Sequence, residues 1–332
     1  VPTPNAPLPE AAVARFRGDL EALIPTGAPL RILGIGVSGG PDSLALLLLA
    51  HFVLPGRVRA ATVDHGLRPE AAAEAGIVAG ICRNLGIPHA ILSKTQGVAP
   101  GNTQEQARIL RYRLLGAWAQ RENIGHIAVA HHADDVAETF LMRALRGAGV
   151  TGLARMATSG PVPYQENAEV VLLRPVLSWR RSDLGMIAAG SGIESIQDPS
   201  NRDDRYDRVR VRRLLADEPK LDVVSLARAA ANLADAETAL EWMTEQAWRS
   251  RATLEKGGGI RLDAIDLPYD LRRRLAARAI YRLSKTWNGE GIDSLLDGLS
   301  TASAATLSDV QATGEDAGTW YFRIAPPRRG RR

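Results

Sequence analysis

The sequence predicts an α/β protein, a doubly wound parallel sheet followed by a smaller, mainly helical C-terminal domain. Two observations carry this expectation. Short apolar strand candidates alternate with helix-length segments from Arg31 to Arg146, and such alternation implies right-handed crossovers between parallel strands with helices on both faces. Beyond Gly147 the rhythm stops, and one long helical pattern follows Pro219. A chain of 332 residues suggests about two domains, placed at residues 1–217 and 218–332.

A short amphipathic segment, Ala11 to Leu23, ends at Pro25 and Gly27. Arg31 to Val37 reads as a buried strand and Ser43 to Phe52 as an apolar helix. Val58 to Val63, His89 to Leu92 and His126 to Ala130 are the next strands. They are separated by helices at Pro69 to Leu85 and Thr103 to Glu122, and Asp134 to Arg146 closes the series. Gly147, Gly149, Gly152, Gly160, Pro161 and Pro163 mark a loop-rich connection. A short strand, Glu169 to Leu173, and a helix from Ser182 to Ser191 come next, and six arginines crowd the segment up to Arg213. In the long helix, Leu226, Ala229, Leu233, Ala236, Leu240, Met243 and Ala247 form one stripe at spacings of three and four, the pattern of a core or domain-bridging helix. Gly257 to Gly259 is a break, Leu271 to Leu283 is helical and Thr319 to Ile324 is a terminal strand. The basic end APPRRGRR reads as a disordered tail.

Composition narrows the chemistry. The formal net charge of +4 permits a polyanionic partner without requiring one. Cys82 is the one cysteine, which excludes an internal disulfide and a multi-cysteine zinc site. The longest apolar run, Leu44 to Ala50, falls far short of the roughly 20 residues of a membrane span. The proline-rich start, Val1 to Pro9, does not read as a secretory signal. The expectation is a cytoplasmic protein that does not engage a membrane.

Ser38-Gly39-Gly40-Pro41-Asp42-Ser43 lies between the first strand and its helix, where parallel sheets bind nucleotides at a helix N-terminus. Paired glycines let backbone N–H groups approach an anion. Asp42 would repel phosphates unless a divalent cation stood between, so the pattern points to Mg²⁺ shared by phosphate oxygens and carboxylate. The Lys-Ser/Thr ending of the common mononucleotide loop is missing. A second constellation, His131-His132-Ala133-Asp134-Asp135-Val136-Ala137-Glu138, follows the fourth strand. A helix starting near Asp134 puts Asp135 and Glu138 on one face, with His131 just before the turn. One acid would serve as a helix cap, but three acids and two histidines exceed that need.

Taken together these strings resemble a known family. SGGPDS is similar to the SGGxDS motif of the ATP pyrophosphatase (PP-loop) superfamily, whose sheet is of the adenine nucleotide α-hydrolase-like type. The string from His131 to Thr139 resembles the HHxDDxxET signature of the tRNA(Ile)-lysidine synthetases. Asp64-His65-Gly66-Leu67-Arg68, the helix with Glu105, Arg108, Arg111 and Tyr112, Arg146-Gly147 with Gly149, Gly152 and Leu153, Arg174-Pro175, and Asp198 to Asn201 match further family segments. Arg208, Arg210 and Arg212 fall on its RNRIR run, with Val209 where the family has Asn.

The resemblance implies that ATP adenylates C2 of the wobble cytidine of an isoleucine tRNA with a CAU anticodon. The amine of free L-lysine then displaces AMP to give lysidine. Ser38, Gly39, Gly40, Pro41, Asp42 and Ser43 would cradle ATP, with Mg²⁺ at Asp42, and Arg111 would steady the activated base or phosphate. His131 would contact ATP or shuttle a proton, while Asp135 and Glu138 would hold the lysine ammonium and accept its proton. Arg205, Arg208, Arg210 and Arg212, with the C-terminal domain, would grip tRNA phosphates. Against that grip stands a self-paired face, since Asp203, Asp204 and Asp207 lie among these arginines. A single cysteine independently disfavours sulfur transfer, which needs reactive cysteine pairs or a cluster. Two alternatives stay open: an ammonia-dependent amide ligase of the same superfamily, and a non-catalytic RNA-binding protein on this scaffold. Periodicity does not fix the oligomeric state and leaves a homodimer open.

Overall fold

The computed structural model describes residues 8–24, 30–64, 70–93, 103–154, 156–165, 169–196, 207–284, 286–301, 304–316 and 318–326. They form two compact units, Val1–Ala234 and Asp235–Arg332, and the division falls inside one long helix.

The first unit begins with α1 (Glu10–Glu21), β1 (Leu33–Gly36), α2 (Pro41–Val53), β2 (Val58–Asp64), α3 (Glu70–Asn84) and β3 (His89–Ser93). It continues with α4 (Thr103–Arg121), β4 (His126–Ala128), α5 (Ala133–Ala144), α6 (Val150–Leu153), β5 (Ser159–Pro161), β6 (Val171–Leu173), α7 (Arg181–Gly190) and α8 (Asp207–Asp217), and then enters α9 (Val223–Arg251). The sheet order is β3-β2-β1-β4-β6-β5. Every neighbouring pair is parallel except β5 with β6. The expected alternation is therefore present. Three elements were not anticipated: the short α6, within the segment read as a loop-rich connection, β5, in a Gly-Pro stretch that an edge position tolerates, and α8, in the arginine-rich segment.

Residues Ser43 to Ala50 of α2 are all buried, because the helix lies between the sheet and the flanking α1 and α7. A helix apolar all round belongs in such a place. Among the described residues, no helix is long and apolar enough to cross a membrane. On the other face α4 presses Tyr112, Leu115, Trp118 and Ala119 into a second core layer. Gly34 of β1 makes room there, since a Cβ would come within 2.9 Å of the Trp118 ring.

The strand order decides where chemistry can occur. From β1 the chain moves outward to β2 and β3, then returns across β1 to β4 and on to β6. Connections after β1 and β4 thus leave in opposite directions and open a crevice at their carboxyl ends. Both motif-bearing turns, Ser38–Ser43 and His131–Glu138, follow those two strands.

The second unit contains the end of α9, then β7 (Ala252–Leu254), β8 (Ile260–Asp263), α10 (Tyr269–Leu283), α11 (Ile292–Thr301), β9 (Ala304–Leu307), β10 (Val310–Asp316) and β11 (Thr319–Ile324). Helices are prominent as expected, but they cover a five-stranded antiparallel sheet, β7-β8-β11-β10-β9, of which only β11 was foreseen. The Gly257–Gly259 break is the hairpin turn between β7 and β8, with Gly258 at φ +81°. The apolar stripe predicted for α9 is also corrected. Ala236 and Met243 are exposed, whereas the buried positions include Val223, Ala230, Glu237, Thr244 and Trp248. Two of these are polar and are satisfied locally. Thr244 Oγ1 donates to the Leu240 carbonyl at 2.7 Å, and Glu237 accepts two bonds from Arg274 at 2.8 and 2.7 Å.

That ion pair generates a prediction. Arg274→Met removes the bidentate partner of a buried carboxylate and should cost about 3 kcal/mol in urea unfolding of the full chain. The double change Glu237→Met/Arg274→Met should recover most of the loss.

Candidate active site

The turn after β1 is built on its own hydroxyls. Ser43 Oγ accepts from the Ser38 amide at 3.1 Å, lies 3.2 Å from Ser38 Oγ and donates to the Gly40 carbonyl at 3.0 Å. Gly39 sits at φ +86°, and its carbonyl accepts from the Ile196 amide at 2.9 Å. A Cβ on Gly39 would lie 2.3 Å from Ile196 Cδ1. Gly40 caps α2 with Pro41 in the first turn, so the N–H groups at the start of the helix face the crevice.

The turn after β4 ends in a reciprocal cap. The His132 amide donates to Asp135 Oδ2 at 3.2 Å, and the Asp135 amide donates to His132 Nδ1 at 3.4 Å. The acid that serves in this cap is thus Asp135, while its neighbour Asp134 ties α5 to α7, accepting from the Arg181 amide at 2.8 Å and from the Arg180 guanidinium at 3.3 Å.

The two turns meet through one imidazole. His132 Nε2 lies 3.5 Å from both Asp42 Oδ2 and Asp135 Oδ2. Burial pushes this imidazole down, but the hydrogen bond to Asp42 and the charges of Asp135, Asp42 and Asp134 outweigh it, so its pKa lies above the ordinary histidine value. Asp135 shows the same balance from the acid side. Burial alone would push it up, yet His132, His131 and Arg208 hold it below the usual carboxylate range. Asp42 Oδ1 is buried and finds no hydrogen-bond partner among the described residues.

His131 behaves differently. Burial, opposed by Asp135 and reinforced by Arg174, Arg108 and Arg208, pushes its pKa down to about 3. Arg174 Nε donates to its Nδ1 at 3.3 Å, which leaves the hydrogen of the neutral ring on Nε2. A neutral ring with its hydrogen on Nε2 suits the ATP contact, one of the two roles read for His131 from the sequence.

Positive charge converges from three elements. Arg108 and Arg111 of α4 and Arg208 of α8 act on one another electrostatically, and Arg174 follows β6. Glu138 is 1% exposed and engaged on both oxygens. Arg212 Nε donates to Oε1 at 2.7 Å and its second nitrogen to Oε2 at 3.3 Å, while Arg208 Nε lies 3.2 Å from Oε2. Arg210 pairs with Asp207, which also accepts from Arg146 at 2.5 Å. The described arginines of this stretch are thus largely acid-paired. Arg205, His65 to Arg68 and Asp198 to Asn201 lie outside the described residues. Sequence reasoning placed Asp42, His131, Asp135 and Glu138 but did not assign sites to His132 and Arg174, although both stand inside strings already noticed.

Comparison with known proteins follows this geometry. The PP-loop domain family matches residues 14–218. The tRNA(Ile)-lysidine synthase of Novosphingobium aromaticivorans is 42% identical over 97% of this chain and 96% of its own length. That of Zymomonas mobilis is 42% identical over 90% and 89%. Among solved structures, the U34-tRNA thiolase NcsA of Methanococcus maripaludis with its [4Fe-4S] cluster superposes with a TM-score of 0.54 at 16% identity. It covers 68% of this chain and 80% of its own, a likeness of fold.

Two predictions rest on the turns. Gly39→Ala should weaken adenine-nucleotide binding about tenfold by calorimetry, since a side chain at that φ costs roughly 1–2 kcal/mol. Ile196→Ala should not rescue it, because the backbone angle remains. Nitrogen NMR should show His131 as a neutral Nε2–H ring that does not titrate between about pH 5 and 8.

Proposed function

The chain belongs to the tRNA(Ile)-lysidine synthase family of PP-loop proteins, and on that premise we infer how its crevice carries out a carbon–nitrogen ligation on tRNA. The enzyme uses ATP to modify the wobble cytidine. The observation that carries the residue assignment is the meeting of Asp42 with His132 and Asp135 across β1 and β4.

Ser38 to Ser43 suit the phosphates of ATP, presenting backbone N–H groups and hydroxyls at the α2 N-terminus. The buried, unsatisfied Oδ1 of Asp42 fits a divalent cation. Among the described residues no group of three or more acids, histidines or cysteines is arranged to hold a metal alone, so the proposed ion would need phosphate oxygens as further ligands. Mg²⁺ bound there would neutralise charge developing on the phosphates during adenylation. His132 holds Asp42 and Asp135 in one network, and the neutral His131 offers its Nε2 hydrogen to an acceptor on nucleotide or base. Arg111, Arg108 and Arg208 supply positive charge for the phosphate or the activated base.

Attack by free lysine requires an amine that has lost its proton, although its ordinary pKa is about 10.4. Asp135, bonded only to His132 among the contacts described above, is the carboxylate best placed to hold the lysine ammonium. The low pKa that keeps it charged makes it a weak base, so it would accept the proton that the nitrogen sheds as it bonds to C2 and becomes acidic. Glu138, with both oxygens engaged by Arg208 and Arg212, orients those guanidinium groups instead of accepting the proton. Exposed arginines, Arg210 and Arg146 among them, suit phosphates of the anticodon arm once tRNA competes with Asp207. Arg205 remains with the tRNA-binding set as an expectation from the sequence, and so does a role in tRNA binding for the C-terminal unit.

Separating the half-reactions tests these roles. Asp42→Asn should lower tRNA-dependent pyrophosphate release by on the order of 10²-fold. Asp135→Asn should retain that release while lysine incorporation falls by on the order of 10²-fold or more. Equal loss of both steps in Asp135→Asn would remove it from the lysine step.

A further inference from the structure

The helices that carry the reaction-side acids and arginines have a second, outward use. On α8, Arg208 and Arg212 turn toward Glu138, whereas Asp207, Arg210, Val211 and Leu214, at helical spacings of three and four, turn toward a groove of about 330 Å³ against the end of α5. Met142, Leu145 and Arg146 form its other wall. None of the phosphate-turn residues lines it. The groove has an apolar floor, with Val211 buried, and an apolar rim, with Leu145 73% and Leu214 43% exposed. Two arginines at the mouth share the single carboxylate of Asp207.

We propose that this groove holds the base of a nucleotide adjacent to the modified cytidine, with Arg146 or Arg210 exchanging Asp207 for its phosphate. Three observations choose this occupant. The volume is at the low end for small-molecule sites and suits one heterocycle rather than a larger ligand. Two guanidinium groups against one acid leave a net positive mouth, which complements a phosphate. Met142 on α5 and Leu145 at its C-cap lie one to two turns beyond Glu138, roughly 6–10 Å along the axis, within the reach of a nucleotide next to one held in the crevice. Sequence-specific RNA recognition commonly splays unstacked bases into such separate slots. The proposal rests on the tRNA-modifying reading above and adds a subsite to it.

The test is a cycle between protein and RNA. Leu145→Asp and Arg146→Ala, both at exposed positions, should each raise KM for an anticodon-arm RNA about tenfold, with ATP binding in the absence of RNA intact. An abasic nucleotide on one side of the target cytidine should raise KM similarly in the wild type and add little further in Leu145→Asp. Abasic substitutions on both flanks without effect, or losses that multiply in the cycle, would overturn the subsite. So would a Leu145→Asp variant that changes only the oligomeric state, since the groove would then serve a second copy of the chain. Absence of lysine incorporation in the wild type with intact RNA is a separate outcome, and it would fault the underlying reaction instead.

Discussion

The structure depends on one adjacency, the parallel pairing of β1 with β4. Leu33, Gly34 and Ile35 stand in register with His126, Ile127 and Ala128, and this brings two turns far apart in sequence to the same edge. Each turn opens a helix, so two N-terminal dipole ends and two carboxylates share one crevice. Unlinked, Asp42 and Asp135 would repel each other. The buried imidazole of His132, 3.5 Å from an oxygen of each, makes their approach tolerable. The cost of this arrangement is an Asp42 oxygen with no hydrogen-bond partner among the described residues, the feature on which the proposed cation rests.

A second charge balance surrounds the first. Glu138 is almost wholly buried, and a lone carboxylate there would be expensive. Arg212 and Arg208 compensate it, and they also dock α8 onto α5. The same device appears in the C-terminal unit, where Arg274 neutralises the buried Glu237. In both places an arginine serves to orient an element as much as to carry charge, as its planar fork allows. On the tRNA-binding role proposed above, the acid-paired arginines of α8 would offer RNA a surface that is already ordered, and a phosphate would have to displace a carboxylate to bind, which favours discrimination over raw affinity.

What could be read from the sequence was local. SGGPDS and the His131 to Glu138 string declare themselves because each compresses its chemistry into consecutive residues. The parallel sheet announces itself through the alternation of apolar strands and helices. What escaped depends on partners distant in sequence. The arginine-crowded segment up to Arg213 showed no helical signal, because the partner that neutralises Arg212 is Glu138, 74 residues earlier. The buried face of α9 was misread because Glu237 and Thr244 are polar, and hydropathy cannot foresee Arg274. The surroundings of Glu138 were hidden for the same reason, since the sequence shows an acid on the right face but not the two guanidinium groups that occupy it. Strands β7, β8 and β9 left little trace because each has only three or four residues, and β10 (VQATGED) because its polar residues and glycine give no apolar run.

The choice of nucleophile shows how little the sheet decides. A tRNA thiolase that holds a [4Fe-4S] cluster shares the fold, yet the present sequence has a single cysteine, Cys82. That thiol is buried in the main core, and burial pushes its pKa up to about 12, so it is neither a nucleophile nor a cluster ligand at neutral pH. The crevice offers acids where sulfur chemistry would require thiolates. On the roles proposed above, the negative charge of Asp135 would attract an incoming ammonium, and the arginines would attract the phosphate. Chemistry on this scaffold is therefore set by the side chains at the β1–β4 switch point, where a few substitutions could redirect an activated base toward a different attacking atom.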